Sequence, residues 1–229
     1  MMRWLLIALV ALMPISVSAQ LQPFAATYSA TLDLLIDLPV EARRELSRSP
    51  SGLWHFSSEA HSAFAKQSES STLNYEANSW QPKSYKFRRS VFGRSREISI
   101  SFDPERQRIT TVAKQEPWTQ PYEAGVQDKL SYQLQLRQDL ILGKEQLSYR
   151  IADGGRIKTY RFVRSGQERL TTPAGTFDCI RLQLQRSDGQ QQTLIWMAPA
   201  LDYLTVRLLR IDESGREHIL NLKSLESPE

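Results

Sequence analysis

The chain has 229 residues and a formal net charge of +4 at neutral pH. Its length suits a single domain. A net charge this small argues against nucleic-acid binding, which needs basic residues concentrated on one surface, so we expect no nucleic-acid partner. Cys179 is the only cysteine, which excludes an internal disulfide and a cysteine-based zinc site.

The N-terminus has the layout of a secretory signal. Arg3 supplies a positive charge, an unbroken apolar run extends from Leu5 to Met13, and Val17-Ser18-Ala19 presents the small residues that signal peptidase reads. The apolar run is shorter than the roughly 20 residues that a spanning helix needs. We therefore predict a signal peptide at residues 1–19, cleaved before Gln20. The mature protein, residues 20–229, is expected to be a single β-rich domain in the periplasm without a transmembrane segment.

Beyond residue 20, apolar and polar residues alternate, which places one face of each segment against a core and the other toward water. Turn-forming sequences interrupt these runs at short intervals, among them Ser165-Gly166, Pro173-Ala174-Gly175 and Ser187-Asp188-Gly189. Runs separated this often indicate strands that pair in sequential order. We predict about a dozen strands from this spacing, near residues 24–34, 39–48, 52–62, 67–76, 80–90, 94–103, 107–113, 147–152, 156–165, 177–186, 191–197, 204–212 and 216–224.

The middle of the chain differs from this pattern. The stretch from Gln115 to Gly125, which contains two prolines, is predicted to be an irregular connection. Asp128 is then the candidate cap of a helix at about residues 128–141, with Gly143 just past its end. Alternating apolar residues between 130 and 136 also fit a strand, but the length without a turn signal favours the helix.

Together these elements predict an all-β fold. A single antiparallel up-and-down meander of this length usually curls to cover its edges, which gives a strongly curved sheet or a partly closed barrel. The helix at about 128–141 is expected to cover the concave side.

The residues do not form a recognisable catalytic motif. His55 and His61 lie about 20 Å apart if they share one strand, too far to bind one metal ion. No nucleophile elbow or phosphate-binding loop occurs, and Cys179 has no histidine near it in sequence, so we interpret it as structural. We expect no cofactor and no metal, and we lean against an enzyme.

The most uneven feature is a basic cluster between residues 83 and 96, interleaved with aromatic residues. It contains Lys83, Lys86, Arg88, Arg89, Arg94 and Arg96. Such side chains pair with phosphate groups of lipids or polysaccharides. The plainer interpretation, which we favour, is a hairpin whose outward charge keeps the protein soluble and discourages edge pairing. The tryptophans Trp54, Trp80, Trp118 and Trp196 are likewise interpreted as core rather than as the lining of a ligand cavity.

Three segments resemble the bacterial envelope family catalogued as domain of unknown function 3108. They are the run Asp128-Lys129-Leu130-Ser131 continuing to Arg137, the turn Thr172-Pro173-Ala174-Gly175-Thr176-Phe177, and Trp196-Met197-Ala198-Pro199 followed by Leu201 to Arg207. The resemblance implies an exported β-rich domain with no established reaction. Its curved sheet with helical cover is similar to periplasmic lipoprotein carriers, which is an analogy of fold alone.

Three hypotheses for function remain. The first is a non-enzymatic periplasmic module that binds an apolar or amphiphilic envelope component, such as a lipid. The second is an interaction or scaffolding protein that uses its sheet edge or the basic hairpin with Arg88, Arg89, Arg94 and Arg96, and the third is an unrecognised hydrolase. On the helix and a late strand, Asp128, Ser131, Arg137 and Arg207 are candidate binding residues, because polar groups buried there need partners or a ligand. The alternative is that they cap and anchor the helix.

Overall fold

A computed structural model describes residues 20–32, 38–113, 116–186 and 192–226, which form fourteen strands and one α-helix. The predicted signal peptide, residues 1–19, lies outside the described residues. The helix α1 spans Ser131–Ile141, and a short 3-10 helix spans Pro199–Leu201. The strands are β1 Phe24–Leu32, β2 Leu38–Arg48, β3 Trp54–His61, β4 Ala65–Glu76, β5 Ser79–Val91, β6 Arg94–Asp103, β7 Arg108–Ala113, β8 Glu116–Pro121, β9 Leu147–Asp153, β10 Arg156–Thr172, β11 Gly175–Arg186, β12 Gln192–Ala198, β13 Leu204–Ile211 and β14 Glu217–Glu226.

All fourteen strands belong to one antiparallel sheet. Neighbours in sequence pair from β1 to β8 and again from β9 to β14, and the first strand also pairs with the last, with Tyr28 opposite Leu222. The sheet is open between β8 and β9, its two outer strands. The predicted all-β meander with one main helix is therefore confirmed, and the pairing of β1 with β14 brings the two halves of the chain together.

The segment that leads into α1 covers part of the open edge. Gln127 forms a parallel bridge with Ile151 of β9. The Gln127 N–H donates to the Arg150 carbonyl at 2.8 Å, and the Ala152 N–H donates to the Gln127 carbonyl at 2.8 Å. Exposed strand edges are templates for unwanted pairing, so this bridge protects β9 while it fixes the start of the helix.

The predicted irregular connection from Gln115 to Gly125 is wrong in its first half. Residues Glu116–Pro121 form β8, which within the described parts of the chain pairs only with β7. Proline has no N–H to donate, so it is confined to edge strands or strand ends, and Pro117 and Pro121 satisfy this condition because β8 is an edge. In the sequence the two prolines favoured an irregular connection. In the structure they are compatible with β8 because it lies at the edge of the sheet.

A second correction concerns Ser165-Gly166, predicted to be a hairpin turn. In the structure it lies inside β10, where the register with β11 shifts between Arg164 and Gly166. Such a bulge bends a strand without ending it, so β10 and β11 continue to the turn at Pro173-Ala174, which was predicted. The third predicted turn, Ser187-Asp188-Gly189, lies outside the described residues.

The turn between β9 and β10 approaches the other edge of the sheet. Gly154 and Gly155 both have positive φ, at 59° and 78°. A Cβ atom at Gly155 would overlap the indole ring of Trp118 on β8, whereas a Cβ at Gly154 would meet nothing within 4 Å. The turn after β9 therefore contacts β8, the strand at the opposite edge of the sheet. A glycine is needed at residue 155 because any side chain there would overlap Trp118.

Gly155→Ala is expected to destabilise the protein more than Gly154→Ala. Alanine in the left-handed region costs roughly 1–2 kcal/mol at either position. Gly155→Ala should add roughly 1–3 kcal/mol because the new methyl group overpacks against Trp118. Chemical denaturation of both variants measures the difference, and equal losses would show that Trp118 does not constrain this turn.

The apolar residues form two core clusters on either side of the helix. The larger contains Trp54, Trp80 and Trp196, so these three tryptophans are core as predicted. The prediction is wrong for Trp118, which is only half-buried on the edge strand β8. The smaller gathers Leu136 and Leu140 of α1 with side chains of β9–β12. Among the described residues, no helix combines the length and apolar character needed to cross a bilayer.

Candidate functional site

Asp128 positions the start of α1. Its Oδ1 accepts hydrogen bonds from the backbone N–H groups of Leu130 at 2.7 Å and Ser131 at 2.8 Å. The Asp128 N–H donates to the Ser131 hydroxyl at 2.7 Å, and the Ser71 hydroxyl donates to Oδ2 at 2.5 Å. The bonds to Oδ1 satisfy two backbone N–H groups at the start of the helix. The helix itself begins at Ser131, three residues later than predicted, and Gly143 follows its end with a φ of 70°.

The Asp128 carboxyl is fully buried, and no ion pair involves it among the described residues. Burial raises its pKa to about 6, although the hydrogen bonds from Ser71, Ser131 and Leu130 act in the opposite direction. A carboxylate without a counterion is costly in a medium of low dielectric constant, and the hydrogen bonds offset only part of that cost.

Two glutamine side chains join the helix region to β5. The Trp80 N–H donates to Gln135 Oε1 at 2.8 Å, and Gln127 Nε2 donates to the Trp80 carbonyl at 2.8 Å. Strand β6 pairs with β5 only from Ser84 onward, so the Trp80 backbone has no β6 partner. The two carboxamides supply the hydrogen bonds that another strand would otherwise make, which explains polar residues on a buried helix.

A cavity of about 540 Å³ lies between α1 and strands from both halves of the sheet. This volume falls within the range of about 300–1,000 Å³ typical of small-molecule sites. Its lining is mostly aromatic and aliphatic, with a minority of charged groups. The apolar and aromatic lining residues are Phe24, Tyr28, Phe56, Tyr132, Leu134, Leu136, Tyr160, Leu184, Ile195, Met197, Leu204 and Leu208.

Arg137 is the buried cation of this cavity, only 7% exposed. Its Nε donates to the Asp202 carbonyl at 2.9 Å and one Nη to the Leu201 carbonyl at 3.3 Å. Its guanidinium carbon lies 4.7 Å from the centre of the Phe24 ring. The other Nη is buried and has no hydrogen-bond partner among the residues that the structure describes. Burial lowers the pKa of Arg137 to about 10, so the side chain keeps its charge at neutral pH.

A second guanidinium, that of Arg44, lies in the same cavity. Its Nη1 donates to Gln133 Oε1 at 3.0 Å, and its guanidinium carbon lies 5.2 Å from the centre of the Tyr28 ring. Its Nε is buried, and no described residue forms a hydrogen bond with it. Tyr28 is fully buried and donates to the Thr205 carbonyl at 3.0 Å, which fixes the aromatic ring beside Arg44.

The charges of the cavity do not balance. Four cations line it, Arg44, Lys129, Arg137 and Arg210, against two carboxylates, Glu69 and Asp153. Asp153 is paired with Lys129 at 2.6 Å and with Lys158 at 2.7 Å. Glu69 accepts hydrogen bonds from Tyr85 at 2.7 Å and Gln67 at 2.9 Å. No carboxylate among the described residues pairs with the three arginines, so the cavity favours an anionic group.

The candidate residues predicted from the sequence lie at four different locations: the helix cap, the cavity, the strand β13 and the β5–β6 hairpin. Asp128 and Ser131 form the helix cap and do not line the cavity, whereas Arg137 does. Arg207 binds the Asn221 side chain at 2.7 Å and stays outside the cavity. Arg88 pairs with Glu97 at 3.1 Å on the β5–β6 hairpin. The remaining basic candidates, Arg89, Arg94 and Arg96, are exposed on that hairpin.

Sequence reasoning missed Arg44 and Tyr28. Arg44 occupies an inward position of β2, between Ala42 and Leu46, which are both buried. A charged residue at an apolar position of a strand was a signal that could have identified it. Tyr28 reaches the cavity because β1 pairs with β14, a contact between the two ends of the chain.

The three histidines and the cysteine of the described residues have separate surroundings. His55 contacts Thr72, His61 is exposed, and His218 lies 3.5 Å from Asp212. The described residues contain no group of three or more His, Cys, Asp or Glu side chains arranged to hold a metal. Cys179 is buried, and burial raises the pKa of its thiol to about 11, which leaves it protonated and weakly nucleophilic at neutral pH.

Comparison with solved structures supports the fold. The chain is similar to a β-barrel-like protein of the domain of unknown function DUF1849 from Brucella abortus, with 12% identity, a TM-score of 0.61, and coverage of 92% of this chain and 99% of that one. A DUF1329 family protein from Desulfovibrio piger matches at 9% identity over 90% of this chain and 85% of that one, and its TM-score of 0.26 carries no weight. No curated protein matches the chain.

A family model, in contrast, assigns the chain to a family. The family described as protein of unknown function (DUF3108) matches residues 38–217, which is most of the chain and includes the three segments that resembled it in the sequence. The chain therefore belongs to the DUF3108 family of proteins of unknown function.

Proposed function

We propose that this protein is a non-enzymatic module of the bacterial cell envelope that binds an amphiphile with an anionic head group in the cavity beneath α1. The observation that carries the proposal is Arg137, a buried cation in the wall of the cavity. Among the described residues one of its Nη atoms has no hydrogen-bond partner, and no carboxylate forms an ion pair with it. A buried donor without a partner is costly, and a ligand acceptor would relieve that cost.

The cavity is lined by groups suited to the anionic head and by groups suited to the alkyl chain of such a ligand. Arg137 and Arg44 present guanidinium N–H groups, which pair well with carboxylate or phosphate oxygens. The aliphatic side chains of Ile195, Met197 and Leu204 offer the apolar surface that an alkyl chain needs. The ligand class is thus a fatty acid or another single-chain anionic lipid, bound with its head toward Arg137.

The proposal includes export. The signal-like sequence at residues 1–19 supports secretion, and a mature chain of residues 20–229 would fold as one domain because the strands close to both of its ends, β1 and β14, pair with each other. Native mass spectrometry of protein recovered from the periplasm without detergent tests both parts. The expected masses are a chain that begins at Gln20 and a complex of that chain with an anionic amphiphile.

Arg137→Met is expected to weaken binding of a dansyl-labelled fatty acid roughly 10- to 100-fold, because hydrogen bonds to charged groups contribute about 1.5–3 kcal/mol. Binding of a neutral long-chain alcohol should change much less, since the alkyl contacts remain. Fluorescence titration of both ligands measures the two effects. Arg161→Met, at an exposed position of β10, is the matched control and should leave both affinities unchanged.

Two results would contradict the proposal. One is a fatty-acid affinity that is the same in the Arg137→Met variant and the original protein. The other is the absence of saturable binding together with a native mass spectrum that contains only the bare chain. A thermal melt of each variant shows whether a loss of binding reflects unfolding.

A further inference from the structure

Two phenylalanines are exposed together at one end of the sheet. Phe64 lies in the connection between β3 and β4 and is 55% exposed, and Phe92 lies in the turn between β5 and β6 and is 77% exposed. Their rings stack with centres 5.3 Å apart and planes at 22°. The Phe92 N–H also donates to the Phe64 carbonyl at 3.1 Å. The two turns are therefore fixed to each other and present one apolar surface to solvent.

The backbone at Phe92 holds this side chain at a conformational cost. Phe92 and Gly93 form the two-residue turn between Val91 and Arg94, with φ of 45° and 78°. Hairpin turns of this type favour Asn or Asp followed by Gly, because a bulky residue at positive φ is strained. A strained, exposed aromatic residue at a turn does not favour folding. Residues with such backbone strain cluster at functional sites.

Cations without ion pairs among the described residues lie on the strands next to these two turns. On β5 and β6, Arg89 lies directly opposite Arg96, and Val91 lies opposite Arg94. Like charges directly opposite each other destabilise a sheet. Lys66 lies one residue beyond the start of β4 on the same tip. None of these four cations forms an ion pair within the described residues, in contrast with Arg88, which pairs with Glu97.

These six side chains, Phe64, Phe92, Lys66, Arg89, Arg94 and Arg96, make up what we call the aromatic tip. We propose that the aromatic tip docks the protein onto the surface of an anionic lipid bilayer. The two rings enter the interface between head groups and acyl chains, and the cations contact lipid phosphates. This inference concerns the exterior of the sheet, and it would hold even if the cavity beneath α1 bound nothing.

The shape and charge of the tip favour a bilayer over a protein partner. A specific protein interface buries about 800 Å² on each partner, and two hairpin turns with two apolar side chains offer a small projecting surface instead. Aromatic residues next to a cluster of Lys and Arg are typical of segments that lie in an anionic membrane interface.

Sedimentation with vesicles tests the proposal on the full mature chain. Vesicles of phosphatidylethanolamine and phosphatidylglycerol should bind the protein more tightly than vesicles of phosphatidylcholine, and added salt should weaken the binding. Replacing Arg89, Arg94 and Arg96 by Gln should weaken binding to anionic vesicles by about fivefold for each charge. The matched control replaces Arg156, Arg161 and Arg164 of β10 by Gln, which removes the same charge from another exposed strand and should have little effect.

Phe92→Asn separates docking from folding. Asparagine tolerates the positive φ of this turn, so the variant should melt at a higher temperature than the original protein while it binds anionic vesicles several-fold more weakly. Three results would overturn the proposal: no binding to either vesicle, equal binding to neutral and anionic vesicles, or equal losses in the β5–β6 and β10 triple variants. Capture of a protein partner without vesicle binding would indicate a protein interface instead.

Discussion

Leu140→Ala should lower the free energy of unfolding by about 3 kcal/mol, within the range for a buried Leu truncated in a core. Leu140 is 2% exposed and belongs to the smaller core cluster, together with Leu136 from the same helix and Leu147 and Tyr149 from β9. Its methyl groups therefore hold the helix against the second half of the sheet. Most helical stability comes from such packing rather than from helix propensity, particularly for a helix of eleven residues.

Leu142→Ala is the matched control for this effect. Leu142 lies two residues further along the chain, at the end of α1, and is 39% exposed. The same substitution there should cost less than about 1 kcal/mol, because little apolar surface is lost from the core. In thermal denaturation the Leu140 variant should melt roughly 6–12 °C lower, given 2–4 °C for each kcal/mol in a protein of this size. Similar losses at the two positions would mean that α1 is not held by its apolar face.

The strands could be predicted because their chemistry is local. Alternation along β3, β6 and β11 places one face of each strand in a core, and glycine or proline at the turns fixes where most strands end. The two errors, at β8 and at Gly166, have the same cause, since both depend on which strands lie beside the segment in the fold. Pro117 fits a strand because β8 is the outermost strand among the described residues. Gly166 bulges within β10 because β11 continues beside it. Neither fact is visible within a short window of sequence.

The helix shows the limit of reasoning from periodicity. Both apolar and polar residues of α1 are buried, among them Gln135, Arg137 and Asp139, so the sequence lacks the one-sided stripe of a surface helix. Each of these polar residues has a specific partner on a strand or loop. Asp139 accepts a hydrogen bond from Tyr149 at 3.0 Å, and Gln135 binds the backbone of β5. Their partners are distant in sequence, which is why the pattern predicted a helix but not its environment.

The candidate site was only partly accessible to sequence reasoning for the same reason. Arg137 was identified because a charge among the apolar residues of a buried helix needs a partner. Its neighbours in the cavity come from β1, β2, β12 and β13, which meet only when the two ends of the chain pair. Asp128 and Ser131 were selected for the same reason as Arg137, because they are polar residues at a buried helix. In the structure their side chains form hydrogen bonds at the start of that helix. Burial of a polar group therefore marks a required partner, and only geometry shows whether that partner is protein or ligand.

Asp128→Asn is expected to remove a pH dependence of stability that the original protein carries. The pKa of Asp128 is about 6 in the folded protein, above the ordinary value of 3.8. A raised carboxyl pKa contributes stability that is fully present below pH 3.8 and is lost as the pH rises through about 6. A shift of this size corresponds to about 3 kcal/mol. Asparagine resembles the protonated acid, since its oxygen accepts from Leu130 and Ser131 while its amide donates to the Ser71 hydroxyl.

The measurement is urea denaturation at pH values between 3.5 and 7.5. The free energy of unfolding of the Asn variant minus that of the original protein should rise by up to about 3 kcal/mol between pH 4 and pH 6 and then stay level. Asp178→Asn removes a carboxyl group at an exposed position of β11 and is the matched control for the substitution itself. Asp128→Ala should show the same pH trend from a lower baseline, because losing the cap costs about 0.5–2 kcal/mol at every pH. A flat difference for Asp128→Asn would mean that the buried carboxyl titrates as it does in the unfolded chain, so that the hydrogen bonds of the cap fully offset its burial.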